Sequence, residues 1–158
     1  MGLKKSLKDG QFISAPGVFD PLSARIAESC GAQTLYMTGY GVSASLLGKP
    51  DAGLVSYREM VDRVRSICDV TSTPLIADGD TGFGGLANVQ QAVQGYELAG
   101  ASAIQLEDQE YPKRCGHTKN RKVIPIADMV RKIKVAAESR TSDDFLLVAR
   151  TDARTEHG

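Results

Sequence analysis

One cysteine of this chain stands among cationic residues, shortly after a pair of acids. The stretch LEDQEYPKRCGH carries both features, and the cations beside Cys115 are Lys113, Arg114 and His117. Neighbouring positive charge lowers the pKa of a thiol and favours the thiolate. A thiol in such surroundings can serve as a nucleophile or as a proton donor. The spacing therefore predicts a chemical role for Cys115, with an incidental cysteine in a solvated basic loop as the alternative.

Zinc binding is a poorer explanation of this segment. Cys115 and His117 form a Cys-x-His pair, but two further ligands at a usable spacing are missing. Cys30 and Cys68 fall within helical patterns, where we expect buried structural thiols. Three widely spaced cysteines do not make a disulfide framework, which fits a reducing, cytoplasmic location.

Two aspartates separated by one residue indicate a site for a hard cation. Asp78 and Asp80 in ADGDTGFGG follow one apolar run, and Glu107 closes the next. Because Mg²⁺ is usually held by one or two carboxylates and waters, this spacing predicts a magnesium site that could also take Mn²⁺. A glycine-rich turn capped by aspartates is the plainer interpretation. The DxD nucleophile of aspartyl-phosphate phosphatases is disfavoured, because that motif usually follows the first strand of its fold.

Glycines and an arginine mark two further strand ends. TGYGVSA is similar to a dinucleotide-binding fingerprint, but a long loop follows it and no acid closes a next strand at the required distance. Gly39 and Gly41 are better explained as positions where backbone N–H groups approach a carboxylate or a phosphate. Arg150 offers a planar fork for the same kind of anion. A salt bridge from Arg150 to Glu107 or Asp152 is the alternative.

Apolar runs alternate with helical patterns along the whole chain. The predicted strands are residues 12–20, 34–39, 74–80, 102–108 and 145–152. The predicted helices are residues 21–31, 56–69, 88–100 and 126–139. Ser56 with Glu59 reads as a capping box, and Asn88 as an N-cap. This order predicts an α/β fold with a parallel sheet, which is either a complete open sheet or five units of a (β/α)₈ barrel of about 250 residues.

Polar residues converge at the carboxyl ends of all five predicted strands, where ligands bind in both architectures. They are Asp20, Thr38 to Tyr40, Asp78 to Asp80, Glu107 with Asp108, and Arg150 to Asp152. The chain has 158 residues and a formal net charge of zero, so it gives no argument for nucleic acid binding. It also lacks an apolar run of about 18 residues, so no membrane span is expected.

The motifs together resemble the isocitrate lyase/phosphoenolpyruvate mutase superfamily. They are YMTGYGVSAS, PDAG, DGDTGFGG, LEDQ, PKRCGH and ARTDA, in the family's order. The resemblance implies a TIM-type (β/α)₈ barrel with Mg²⁺ at its mouth and a small-molecule carboxylate as substrate. It implies that residues 1–158 are the N-terminal part of one barrel domain, a fragment expected to be inactive alone. The complete protein would be a homotetramer.

Residue roles follow from the same resemblance. Asp78 and Asp80 match the acidic metal-site pair, Glu107 a further acid acting through water, and Asp51 the acid of the PDxG turn near the metal. The segment that binds the keto-acid carboxylate is matched by Thr38, Gly39 and Tyr40, although the lyases usually have serine where Thr38 stands. Arg150 matches the substrate-binding arginine. The mobile catalytic loop of the lyase branch is matched by Lys113, Arg114, Cys115, Gly116 and His117.

The cysteine-bearing loop implies a Mg²⁺-dependent lyase that splits a carbon–carbon bond of a 2-hydroxy di- or tricarboxylate, of the 2-methylisocitrate or 2-alkylmalate type. Tyr36 is the candidate base by position, and Cys115 would protonate the departing enolate. Lys113, His117 and Arg150 would stabilise negative charge. The alternatives are a phosphoenolpyruvate mutase, a phosphonopyruvate hydrolase, an oxaloacetate hydrolase or decarboxylase, and an inactive fragment.

Overall fold

Helices and strands alternate through the chain. The structure, a computed structural model, describes residues 2–116, 118 and 120–154. Its elements are α1 (Leu3–Lys8), β1 (Gly17–Val18), α2 (Pro21–Ser29), β2 (Leu35–Met37), α3 (Gly39–Leu47), α4 (Tyr57–Cys68), β3 (Leu75–Asp78), α5 (Leu86–Leu98), β4 (Ala103–Glu107), α6 (Ile126–Ser139) and β5 (Leu146–Arg150). Within the described ranges, no helix is both long enough and apolar enough to span a bilayer.

The five strands form one parallel sheet in the order β1-β2-β3-β4-β5. Doubly wound open sheets reverse their strand order at a switch point, whereas the strands of a (β/α)₈ barrel follow chain order. The sequential order therefore favours the barrel over the open sheet. In register, Asp78 lies opposite Gln105, and Glu107 lies opposite Arg150.

The two faces of the sheet differ in character because side chains alternate along a strand. One face is packed under the helices and is apolar; its fully buried members include Leu35, Met37, Leu75, Ala77, Ile104 and Leu106. The helices complete this core with Met60, Val64, Ile67, Val89, Val93 and Tyr96. The other face carries the chemically active groups, which are Tyr36, Asp78, Gln105, Glu107 and Arg150.

The predicted capping box at the start of α4 is confirmed. Ser56 Oγ accepts the Glu59 N–H at 3.3 Å, and the Glu59 carboxylate accepts the Ser56 N–H at 2.7 Å. The pKa of Glu59 is lowered by its hydrogen bonds to Ser56. The cap therefore satisfies two backbone donors that the first turn of a helix leaves open.

Replacing Ser56 by alanine should lower the free energy of unfolding by about 1 kcal/mol, because it removes the hydroxyl that accepts the Glu59 N–H and donates to the Glu59 carboxylate. Urea unfolding followed by circular dichroism measures the change. Ser66→Ala is the matched control, since Ser66 lies inside the same helix and its hydroxyl donates to the Arg63 carbonyl of the preceding turn. The control should change stability by less than about 0.5 kcal/mol. Equal losses in both variants would contradict a specific capping role.

Several predicted element bounds were wrong. The loop expected after Gly39 is helix α3, which ends at Gly48 with a left-handed φ of 61°. Its two glycines and its Val and Ser residues have low helix propensity, but burial of Val42 and Ser43 outweighs that preference. Helix α1 was also not predicted. Helix α5 begins at Leu86, so Asn88 is no N-cap; its side chain accepts the Gly85 N–H instead.

The first strand is much shorter than predicted. It covers two residues instead of residues 12–20, and Phe12 is 94% exposed. Its described neighbour in the sheet is β2, which supplies only two register partners. The expectation that Cys30 is buried was wrong as well, because Cys30 lies exposed just past the end of α2. Cys68 is half-buried, and burial raises the pKa of its thiol to about 11.

Candidate active site

The turn after β3 presents two carboxylates at the carboxyl edge of the sheet. Asp78 ends the strand, and Asp80 takes a left-handed φ of 49° two residues later. Gly79 between them packs directly on β4, since a Cβ there would lie 2.7 Å from Ile104 Cδ1 and 2.8 Å from the Gln105 carbonyl oxygen. Only glycine allows this approach, so the turn holds the two acids in a fixed relation.

Asp78 is held from three sides. Its Oδ1 accepts the N–H of Asp80 at 3.1 Å, and its Oδ2 accepts the N–H of Gly39 at 3.2 Å. The buried hydroxyl of Tyr96 donates to its backbone carbonyl at 2.9 Å. A Cβ on Gly39 would lie 2.7 Å from Asp78 Oδ2. Gly39 thus lets its backbone N–H approach a carboxylate of the chain itself, whereas its predicted role in substrate binding stays a prediction.

Negative charge is concentrated at this edge with little access to water. Asp80 is 7% exposed and Glu107 is 2% exposed. Burial, and then the charge of Asp78, raises the pKa of Asp80 to about 7. The same two causes raise the pKa of Glu107 to about 8. These carboxylates therefore favour a cation beside them.

Lys113 supplies one such cation from the loop after β4. Its ammonium lies 2.6 Å from Asp80 Oδ1 and 2.6 Å from Asp51 Oδ1, and its side chain is 3% exposed. Burial alone would lower the pKa of Lys113, but the charges of Asp80 and Asp78 outweigh burial and raise it. The lysine therefore stays charged and joins the PDAG turn, the DGD turn and the loop.

Arg150 forms both of the salt bridges that the sequence offered as alternatives. Its Nη1 lies 3.2 Å from Glu107 Oε2, and its Nε and Nη2 donate to Asp152 Oδ1 at 3.1 and 3.0 Å. Burial would lower the pKa of Arg150, but Glu107 and Asp152 raise it. The side chain is 30% exposed, so part of the guanidinium still faces open space.

The loop that bears Cys115 is pinned at its base and at its tip. At the base, Glu110 N–H donates to the Lys122 carbonyl and Ile124 N–H donates to the Asp108 carbonyl, both at 2.8 Å. At the tip, the Cys115 N–H donates to the Asp51 carbonyl at 3.1 Å. A Cβ on Gly116 would lie 2.1 Å from Arg150 Nη2. The loop therefore crosses over Arg150.

The other predicted site residues fall into two groups. Tyr36 lies on the polar face with its hydroxyl 2.7 Å from Gln105 Nε2, and burial followed by the charge of Asp78 raises its pKa. Thr38 caps α3 by accepting the Gly41 N–H. In contrast, the side chains of Tyr40 and Arg114 are exposed. The predicted role of His117 lies outside the described residues.

Sequence reasoning missed two residues that organise the site, Gln109 and Arg121, and considered Asp152 only at the end of a strand and as a partner of Arg150. The Gln109 amide forms hydrogen bonds with Glu107, Arg114 and Asp152. The Asp152 carboxylate also accepts a hydrogen bond from Arg150. Arg121 lies against Asp152 at 3.9 Å and donates to the Gly116 carbonyl at 2.5 Å. The motifs LEDQ and ARTDA contain Gln109 and Asp152, but sequence spacing does not show that they meet.

The carboxylates fit Mg²⁺ in its usual mode, one or two carboxylates with waters, better than an all-protein cage. Among the described residues, no three acids, histidines or cysteines stand close enough to enclose an ion. Asp80 Oδ1 is buried and, within the same residues, has an ion pair with Lys113 but no hydrogen bond of regular geometry. A hard oxygen donor in that state suits a divalent cation.

The raised carboxylate pKa values predict that the metal-free protein loses stability as pH rises. Asp80 and Glu107 bind protons in the folded chain up to about pH 7 and 8, whereas their usual values are 3.8 and 4.5. Between the usual and the raised pKa values, the unfolded chain binds fewer protons than the folded chain. The free energy of unfolding therefore falls with increasing pH. We expect a loss of at least about 2 kcal/mol between pH 5 and 8. Urea unfolding in EDTA at both pH values measures it.

Asp80→Asn is the control for this pH dependence, because the amide does not titrate and the slope should become shallower. The Lys113 ammonium itself does not titrate between these pH values, since its folded pKa is raised and its usual value of 10.5 is already well above this range. Asp20 and Glu59 have pKa values lowered from 3.8 and 4.5, so their effect on stability changes below this pH range. Their stabilising effect is weak because solvent screens it. A free energy of unfolding that increases from pH 5 to 8 would contradict the prediction.

The fold and these contacts define an α/β protein with a cluster of buried carboxylates at the carboxyl edge of a parallel sheet. The sequence model of the phosphoenolpyruvate phosphomutase family matches residues 3–158. The chain is 46% identical over 156 residues to a 2,3-dimethylmalate lyase of Eubacterium barkeri, covering 99% of this chain and 54% of that protein. It is 42% identical over 156 residues to a 2-methylisocitrate lyase of Aeropyrum pernix, covering 99% of this chain and 50% of that protein.

Solved structures agree with these relatives. A crystal structure of 2,3-dimethylmalate lyase superposes with a TM-score of 0.95 at 40% identity, covering 99% of this chain and 53% of the other. A phosphonopyruvate hydrolase in complex with oxalate and Mg²⁺ superposes with a TM-score of 0.87 at 37% identity, covering 96% and 51%. The chain belongs to the isocitrate lyase/phosphoenolpyruvate mutase superfamily. It spans about half the length of the curated relatives it matches.

Proposed function

We propose that the complete protein is a Mg²⁺-dependent carbon–carbon lyase. It cleaves a 2-hydroxy di- or tricarboxylate, of the 2-methylisocitrate or 2-alkylmalate type, into a keto acid and a carboxylate. The observation that carries this proposal is the position of Lys113, whose ammonium bridges Asp51 and Asp80. It anchors the loop of Cys115 against the acids, so a proton donor and a cation-binding site share one small region. The names of the lyase relatives support the same reaction.

Asp78 and Asp80 would hold the metal ion, with Glu107 acting through water and Asp51 close by. A Mg²⁺ or Mn²⁺ ion bound there supplies a Lewis acid that stabilises negative charge on the keto-acid oxygens. The Mg²⁺ in the phosphonopyruvate hydrolase complex supports this choice of metal. The raised pKa values of Asp80 and Glu107 support it independently, because a nearby cation favours their charged forms.

Substrate carboxylates would bind at two places near these acids. Thr38, Gly39 and Tyr40 lie at the start of helix α3, a helix end that attracts an anion, although the Gly39 N–H already donates to Asp78. Arg150 presents a guanidinium that is still partly open. Its fork matches a carboxylate better than a lysine would. Arg114 and Gly116 would close over the bound acid with the loop.

The proposed reaction moves one proton at each end of the broken bond. Tyr36, as phenolate, removes the proton of the substrate hydroxyl, and the carbonyl of the keto acid forms as the carbon–carbon bond breaks. The electron pair of that bond leaves as the enolate of the second carboxylate, and Cys115 protonates this enolate. Lys113 and His117 stabilise the developing charge, and the closed loop excludes water. Burial and the nearby acids raise the pKa of Tyr36 and disfavour its phenolate form. Its role as a base therefore requires a positive charge beside these acids.

A cleavage assay tests the proposal on the 158-residue chain and on a longer form that supplies the remaining barrel units. The substrates are 2-methylisocitrate, 2,3-dimethylmalate and oxaloacetate, with keto-acid release as the signal. We expect pyruvate from one of the first two, abolished by EDTA and restored by Mg²⁺. Activity in the longer form alone would show that these residues carry the chemistry but need the rest of the fold. Absence of keto-acid release from both forms would contradict the proposal of a lyase.

A mutase, hydrolase or decarboxylase of the same superfamily is the second candidate. The family model bears the name phosphoenolpyruvate phosphomutase, and a phosphonopyruvate hydrolase is among the similar structures. The cysteine-bearing loop resembles that of the lyase branch, which favours a lyase over the phosphonate enzymes. Turnover of oxaloacetate or of a phosphonate that survives Cys115→Ser would favour this candidate.

We also propose that residues 1–158 form the first five units of a single barrel domain. Apolar side chains at the open side support this, since Ile126 is 84% exposed and Val148 is 36% exposed. The complete protein would be a cytoplasmic homotetramer. Light scattering on the longer form should give four times the mass of its chain, and the mass of a single chain would contradict the tetramer.

A further inference from the structure

The side chain of Gln109 lies at the junction of β4, the Cys115 loop and the end of β5. Its residue is 2% exposed. Its Nε2 lies 2.9 Å from Glu107 Oε1, 2.9 Å from the Arg114 carbonyl oxygen and 2.7 Å from Asp152 Oδ2. Its Oε1 accepts the Arg114 N–H at 3.1 Å. One amide therefore binds both backbone groups of Arg114 and both neighbouring carboxylates.

An amide of this length contacts all of these partners, and its two N–H hydrogens are shared among the three acceptors. The two carboxylates and the carbonyl need a donor, whereas the Arg114 N–H needs an acceptor, so the orientation of the Gln109 amide is determined. A glutamate would place a third carboxylate beside Glu107 and Asp152. A methionine would preserve the volume but remove every hydrogen bond. The requirement is therefore chemical as well as steric.

A second anchor holds the far side of the same loop. Arg121 is 8% exposed and donates through Nη1 to the Gly116 and Thr118 carbonyl oxygens, and its Nε faces Asp152 Oδ2. Asp152 thus contacts both anchors. Gln109, however, is the one that binds the backbone of the residue directly before Cys115.

We propose that Gln109 is the positioning residue that holds the Lys113–Gly116 segment closed over the acidic site. It acts through the backbone of Arg114 and touches no reacting atom. Losing its amide would release the Arg114 backbone and loosen the segment around it, while the Lys113 ion pairs and the sheet remain in place. The proposal concerns the position of the loop and goes beyond the lyase reaction, so it holds or fails independently of that activity.

Limited proteolysis of the full chain tests the proposal directly. Trypsin must take up the backbone around Arg114 in an extended form, which first requires release of the Arg114 N–H and carbonyl from Gln109. In Gln109→Met, the initial rate of cleavage after Arg114 should rise about fivefold to tenfold, the shift in an opening equilibrium that follows the loss of one or two hydrogen bonds. Gln90→Met, at an exposed position of α5, is the matched control and should cleave like the parent.

Alkylation by iodoacetamide gives a second readout with an internal reference. The rate at the half-buried Cys115, divided by the rate at the exposed Cys30, should rise about fivefold in Gln109→Met. A purely structural role would instead speed cleavage at many sites in parallel with a loss of global stability. Gln109→Glu should open the loop further. Unchanged cleavage after Arg114 and an unchanged Cys115 to Cys30 ratio in a folded Gln109→Met protein would overturn the proposal.

If the longer form cleaves its substrate, Gln109→Met should lower kcat about tenfold and change KM less, because an open loop weakens proton transfer more than binding. Absence of lyase activity in the parent would sink the proposed function alone. The proteolysis and alkylation results would still decide the role of Gln109.

Discussion

Serine in place of Cys115 should reduce turnover of the active form by about a thousandfold, within the range that a positioned general acid contributes. The serine hydroxyl is nearly isosteric with the thiol but is a far weaker acid, so the enolate would have to take its proton from a poorer donor. The Cys115 N–H bond to the Asp51 carbonyl does not involve the side chain and should persist. KM should therefore change much less than kcat, which steady-state kinetics on the preferred substrate measures.

Cys30→Ser is the control for this variant. Cys30 is exposed at the end of α2 and far in sequence from the loop, so its loss should leave both constants unchanged. Deuterium incorporated into the released carboxylate would separate the steps further. If Cys115 is the proton donor, the parent should place solvent deuterium at the carbon that leaves the bond. Full activity of Cys115→Ser would remove the thiol from the mechanism.

Methionine in place of Lys113 should lower the free energy of unfolding by about 3 kcal/mol or more at pH 8, as expected when one partner of a buried ion pair is removed. The ammonium is buried against Asp51 and Asp80, so its loss leaves two carboxylates without their cation. The pKa of Asp80, already raised to about 7 with Lys113 present, should rise further. The destabilisation should therefore be smaller at pH 5, where Asp80 is protonated in either case.

Two further variants make this prediction specific. Lys134→Met removes an exposed lysine from α6 and should change stability by less than about 0.5 kcal/mol. Asp80→Asn added to Lys113→Met should recover part of the loss, because the buried charge is then absent. Added Mg²⁺ should also stabilise Lys113→Met more than the parent, if the metal binds beside Asp80. Additive effects of the two substitutions would show that Lys113 and Asp80 do not interact.

Local sequence patterns were enough to predict much of the framework. The Ser56–Glu59 capping box predicted the start of α4 correctly, because it depends on residues within one turn. The carboxyl ends of the strands were predicted in the same way, since apolar runs stop where polar residues begin. Asp78, Glu107 and Arg150 lie on neighbouring strand ends for that reason. Their proximity follows from parallel pairing alone.

Helix α3 shows where local patterns failed. Its residues favour a loop by propensity, and it forms because Val42 and Ser43 are buried in the folded chain. Cys30 shows the reverse error: a helical pattern predicted burial, but the residue lies exposed past the end of α2. Burial depends on which elements pack against each other, and neither sequence window contains that information.

By itself, the sequence determined the parallel α/β framework, the acids at its edge and the cysteine among cations, because each of these is a property of short segments. The tertiary structure decided which charges meet. Lys113 reaches Asp51 across 62 positions, and Gln109 reaches Asp152 across 43. Such pairs form because folding brings distant segments to one edge, where burial in a medium of low polarity makes each charge require a partner.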